Sequence, residues 1–183
     1  YYSKINITNI DNKAPDFNEM KRASNSAIKI NVVDEKLKYI TLNGRKCLNG
    51  AYINEEGVHT LQAADYAGNV VNSTIYVDRS APYIRSNVIF DGAQLGIGYY
   101  SFEVGDAISG IDFVMVDGVR QDGYGNKYSI NVSYAHEILI VDLCGNETTI
   151  RVSLKSADGS SVNTGNSGYN NGGYVAGGSG GIN

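Results

Sequence analysis

Tryptophan is absent from this chain of 183 residues, and proline, cysteine, histidine and methionine occur only twice each. Each scarcity excludes something. Two cysteines, Cys47 and Cys144, cannot staple a disulfide-rich scaffold, and free, partly buried thiols are expected. Two histidines, neither beside a serine or cysteine in a recognisable motif, leave nucleophilic catalysis without a base, and no enzyme activity is expected. No basic block exists, and 15 basic against 19 acidic residues leave a net charge of −4, so nucleic-acid binding has no electrostatic footprint. No apolar run reaches the length of a membrane span, and no signal-peptide pattern opens the chain. Its first residues, Tyr1-Tyr2-Ser3-Lys4, read as the interior of a longer protein, so a fragment or mature piece is expected.

What is abundant points to strands. Fourteen tyrosines join Val, Ile and Thr in alternating runs, and 22 glycines punctuate them. No stretch has the period of an amphipathic helix. At most a turn of helix fits between Asp16 and Ala23.

One pentapeptide pattern occurs twice, as Asp65-Tyr66-Ala67-Gly68-Asn69 and Asp142-Leu143-Cys144-Gly145-Asn146. Each copy follows an apolar-rich segment opened by a histidine, His59 to Ala64 and His136 to Val141. Upstream, Ile28 to Asp34 corresponds to Tyr100 to Asp106, and the turn signal Asn43-Gly44 corresponds to Asp117-Gly118. Downstream, Val71, Ser73, Ile75 and Val77 share their parity with Thr148, Ile150, Val152 and Leu154. A repeat that preserves parity buries the same face twice. Within the pentapeptide, Asp is expected to bond the N–H groups of its own turn. Gly supplies the positive φ that reverses the chain, and Asn tolerates the next awkward position.

A third, partial copy opens the chain. The ending Ile10-Asp11-Asn12-Lys13-Ala14-Pro15 parallels Val77-Asp78-Arg79-Ser80-Ala81-Pro82. Residues 1–15 are therefore expected to be the last strand of a preceding repeat plus a linker, with one domain over 16–82 and a second over 83–155. Residues 156–183 hold nine glycines with Ser and Asn, too few apolar groups to fold alone.

The segments "EEGVHTLQAADYAGN", "STIYVDRSAP" and "VGDAISGIDFVMVDG" resemble the tandem immunoglobulin-like domains of bacterial extracellular surface proteins. The first copy lacks the Ser-Gly-Ile element, and the second lacks the glycine before its histidine and carries Cys144 where alanine is usual. The resemblance implies an all-β fold, two Ig-like β-sandwiches of about seven strands each. It also implies a secreted or wall-associated setting, a role as spacer, display stalk or adhesin segment, and no shared catalytic residues.

Four readings of the residues follow. In an Ig-like sandwich the loop after the second strand and the last hairpin lie at one end, near the entering linker. Asp78, Asp106 and Asp142 would then converge, as would Asp11, Asp34 and Asp65, and either set can offer oxygen ligands to Ca²⁺; the plainer alternative is that each Asp caps its own turn. Exposed rings at Tyr99, Tyr100, Tyr124, Tyr128 and Tyr134 would suit glycan stacking, as in an ancillary carbohydrate-binding module of an extracellular enzyme, although strand-surface tyrosines need no ligand. A strand over residues 3–11 can complete the sheet of a neighbouring molecule, giving a filament subunit, or simply mark where the chain begins. Each histidine shares a face with core residues and is expected to be structural. Expected partners are neighbouring Ig-like repeats, with a host or cell-wall ligand, a glycan or self-assembly as further options.

Overall fold

In a computed structural model, the structure describes residues 10–17, 19–155 and the backbone of 161–162. All regular elements among them are strands, and no helix there is long and apolar enough to cross a membrane. The segment from Asp16 to Ala23 closes one turn, with Met20 N–H donating to the Phe17 carbonyl at 3.0 Å. The expected leading strand and the glycine-rich tail fall largely outside the described residues.

The first repeat comprises β1 (Ala23–Ser24), β2 (Ile28–Lys29), β3 (Leu37–Leu42), β4 (Arg45–Cys47), β5 (Tyr52–Ile53), β6 (Gly57–Asp65) and β7 (Val70–Val77). One sheet runs β1-β7-β6-β3-β4, and the facing sheet is the pair β2-β5, extended by a bridge between Asp16 and Val33. The second repeat comprises β8 (Tyr83–Arg85), β9 (Ala93–Leu95), β10 (Gly98–Gly105), β11 (Ile111–Val116), β12 (Val119–Arg120), β13 (Lys127–Val132), β14 (His136–Asp142) and β15 (Glu147–Lys155). Its sheets are β12-β11-β14-β15, with β9 and β16 (Ser161–Val162) beside β15, and β13-β10-β8.

The two repeats share one plan. A short strand runs parallel to the last strand in each, Ala23 opposite Tyr76 and Ala93 opposite Val152, while every other pairing is antiparallel. Two sheets packed face to face with this order form an Ig-like β-sandwich.

Alternation creates the core. Along β6, His59, Leu61 and Ala63 are buried, and along β14, His136, Ile138 and Ile140 are. Ser73, Ile75 and Val77 face inward on β7, as Ile150 and Val152 do on β15. Two separate cores result. One gathers Phe17, Ile30, Ile40, Ile53, Leu61 and Ile75, and the other Ile89, Phe102, Val114, Val132, Ile138 and Ile140. At roughly 1.5–3 kcal/mol for each fully buried large aliphatic side chain, each core holds its own sandwich together.

The second strand of the plan differs between copies. β10 pairs with β13 over six positions, whereas β2 pairs with β5 over two. Beyond Ile30, which still exchanges backbone bonds with Gly50 and Ala51, a side chain serves Val32: the Asn49 amide donates Nδ2–H to the Val32 carbonyl at 2.8 Å and accepts Val32 N–H on Oδ1 at 3.0 Å.

Candidate metal centre

The pentapeptide turns join β6 to β7 and β14 to β15. Gly68 and Gly145 take φ of +96° and +87°, the left-handed values that reverse the chain and favour glycine. The aspartates act as expected of turn formers. Asp65 Oδ1 accepts the N–H groups of Gly68 (2.7 Å) and Asn69 (2.9 Å), and Asp142 Oδ1 accepts those of Cys144 (2.8 Å) and Asn146 (2.9 Å).

The asparagines do something else. Neither Asn69 nor Asn146 has positive φ, so tolerance of an awkward backbone is not their role. Asn146 Nδ2 donates to Asp142 Oδ2 at 2.7 Å and to the carbonyl of Asp78 at 2.8 Å. Asn69 Nδ2 likewise donates to Asp65 Oδ2 at 2.8 Å and to the carbonyl of Asp11 at 3.2 Å. The turn asparagine therefore clamps the linker that enters its repeat. Its recurrence beside a recurrent linker was the signal in the sequence, but only the packing reveals the bond.

Asp78 ends the first repeat and is fully buried. Its Oδ1 accepts Ser80 N–H at 2.9 Å within the linker, and its Oδ2 accepts Ser109 N–H at 3.0 Å from the second repeat. Asp106 follows β10. Its Oδ1 accepts the N–H groups of Ile108 (2.9 Å), Ser109 (2.8 Å) and Gly110 (2.9 Å). Burial pushes the Asp106 carboxyl up, but the N–H groups of Gly110, Ile108, Ser109 and Ala107 outweigh it and hold the group below the ordinary aspartate range. Its other oxygen, Oδ2, is shut off from solvent and has no hydrogen-bond partner.

Asp78, Asp106 and Asp142 each present one oxygen within 4.8 Å of the other two. No lysine, arginine or histidine among the described residues forms an ion pair with any of them. Three formal negative charges at this spacing repel by about 3 kcal/mol per pair at an effective dielectric near 20. Oxygen-only donors suit a hard cation such as Ca²⁺, which takes six to eight oxygens, some from water.

Asp11, Asp34 and Asp65 do not form such a group among the described residues. Among the described residues, Asp34 Oδ1 accepts Lys36 N–H, at 2.7 Å, and Asp11 Oδ1 accepts Lys13 N–H, at 3.1 Å. An open cleft of about 450 Å³ lies there, lined by Asp11, Lys13, Val33, Asp34, Glu35 and Lys36.

The tyrosines divide. Tyr99 (81% exposed) and Tyr124 (92%) stand in solvent, and Tyr134 is also exposed. Tyr100 and Tyr128 pack against the second core, with the Tyr128 ring 5.7 Å from that of Phe102. Alternation places Tyr99 and Tyr100 on opposite faces of β10, so the five candidates do not form one stacking surface. Both histidines are buried at the sandwich margin, His59 between Asn43 and the Glu55 carbonyl, and His136 between Asp117 and the Asn131 carbonyl. Both cysteines are free. Burial raises the Cys144 thiol above its ordinary value, and its Sγ lies 3.7 Å from the Tyr76 carbonyl of the first repeat.

No family description matches this chain, and no curated protein does. Among solved structures it is similar to the I-band fragment I67–I69 from titin, with 13% sequence identity and a TM-score of 0.34. The alignment covers 79% of this chain and 66% of the titin chain, a little under two thirds of its length.

Proposed function

We propose that this chain is a non-catalytic structural segment in which two Ig-like sandwiches in series space or display what they are joined to, with Ca²⁺ clamping the joint between them. The observation that carries this reading is the burial of the linker residue Asp78 between the repeats, with Asp106 and Asp142 within 4.8 Å of it. A cation there ties the end of one sandwich to two loops of the next, and the unpartnered Asp106 Oδ2 gains a partner. The resemblance to bacterial surface repeats supports an extracellular setting, where calcium sites of 10⁻⁴–10⁻³ M affinity are filled.

Thermal melting with millimolar Ca²⁺ and with chelator tests the proposal. A ligand at about ten times its Kd stabilises by about 1.4 kcal/mol, so the melting temperature should rise by a few degrees. Asp106→Asn should abolish the rise. Identical melting curves in calcium and chelator would sink the calcium clamp.

Tyr99 and Tyr124, the most exposed rings among the described residues, keep glycan binding as a second reading. A glycan array separates the two, since a pure spacer gives a blank array.

A further inference from the structure

The two ends that receive a linker are built from the same parts, yet only one gathers its carboxylates. We infer that the chain takes a single divalent cation, between the repeats, and none at the entry end of the first repeat, where Lys13 and Lys36 line the same cleft as Asp11 and Asp34. This rests on the calcium reading above and assigns its stoichiometry and place.

Loop length is the first cause. Four residues, Ala107 to Gly110, separate Asp106 from the start of β11, whereas two, Glu35 and Lys36, separate Asp34 from β3. Both loops end on the same contact, a carbonyl accepting an N–H from the pentapeptide turn: Gly110 from Leu143 and Lys36 from Tyr66, each at 3.0 Å. The longer loop has room for three N–H groups to converge on Asp106 Oδ1. Its Ser109 N–H also reaches Asp78 Oδ2, drawing the linker carboxylate in. The shorter loop supplies one N–H to Asp34 and none to Asp11.

Charge is the second cause. Lys13 and Ser80 hold the same place in their linkers, and the backbone N–H of each donates to the linker aspartate. At the entry end Lys13 and Lys36 line the cleft with Asp11, Asp34 and Glu35, two positive charges against three negative. Neither end shows an ion pair among the described residues, but only between the repeats do three carboxylate oxygens gather, with Asp106 Oδ2 shut off from solvent and without a partner. Nearby lysines weaken the negative potential of the entry cleft, whereas an all-acidic cluster with an orphan oxygen attracts a cation.

Hydrogen exchange of the whole chain, with Ca²⁺ and with chelator, locates the ion without any variant. Calcium at ten times its Kd should slow exchange about tenfold over 107–110 and 143–146 and leave 35–37 and 66–69 unchanged. Native mass spectrometry should show one bound calcium, lost in Asp106→Asn and retained in Asp34→Asn. Slowing at both ends, or two bound ions, overturns this inference while the calcium clamp stands. Slowing at neither end overturns the clamp and the inference together.

Discussion

His59 and His136 occupy the same place in the two repeats, and their partners differ by one atom type. Asn43 and Asp117, with φ of +52° and +51°, open the tight turns after β3 and β11. Asn43 Nδ2 lies 3.0 Å from His59 Nδ1, while Asp117 Oδ2 lies 2.7 Å from His136 Nδ1. The other side-chain atom does the same work in both copies: Asn43 Oδ1 accepts Thr60 N–H, and Asp117 Oδ1 accepts Glu137 N–H, each at 2.9 Å. The other ring nitrogen faces a carbonyl in both copies, so His59 Nδ1 accepts from the Asn43 amide, whereas His136 Nδ1 faces a carboxylate oxygen. Asp117→Asn should therefore convert the second site into a copy of the first and cost under about 1 kcal/mol. Asp117→Ala strips a buried ring of its partner and should cost about 1–3 kcal/mol. Urea melting of the two variants measures this, and equal losses would show that an amide cannot stand in for the carboxylate at this site.

At the scale of elements, strand length separates the copies. β10 is a full strand because Tyr100, Phe102 and Val104 alternate inward opposite a partner that keeps register from Lys127 to Val132. Its counterpart loses register after two pairs, although Ile28, Ile30 and Val32 alternate as well and are all buried. Asn49 then serves Val32 in place of a neighbouring strand, beside the backbone bond from Ile30 N–H to the Ala51 carbonyl at 2.8 Å. Asn49→Ala leaves the N–H and carbonyl of a buried residue unpaired and should cost about 1–3 kcal/mol. The adjacent Leu48→Ala, at a side chain 80% exposed, should stay within about 0.5 kcal/mol. Chemical denaturation of both variants decides it; comparable effects would mean that Asn49 is only a surface residue.

For the whole molecule, two cores make two sandwiches, and the joint makes them one object. Asn146 Nδ2 to the Asp78 carbonyl, Ser109 N–H to the Asp78 carboxylate and the Thr148 hydroxyl to the Pro82 carbonyl all cross or brace the linker. Removing Asn146 should leave both cores folded while loosening their relative orientation. Small-angle scattering of Asn146→Ala should then broaden the distribution of maximum dimensions, and Asn69→Ala, at the entry end, should not. A variant that unfolds the second sandwich outright would show that Asn146 supports the fold and not the joint.

The twofold repeat, the inward parity of His59, Leu61 and Ala63 or of His136, Ile138 and Ile140, and the turn glycines were all legible in the sequence. Each is a local property, set by the two-residue period of a strand or by the φ a turn demands. The pattern of aspartates was legible too, but not which of them meet. Asp78 lies 28 residues from Asp106 and 64 from Asp142 in the chain, and only folding brings their oxygens within 4.8 Å. Two additional residues in one loop, with lysines at the other end, are small differences in a string of letters. In three dimensions they decide where an N–H can reach and whether three like charges gather at one place. That is why sequence alone determined the fold and its repetition, while tertiary structure alone separated one aspartate triad from its near copy.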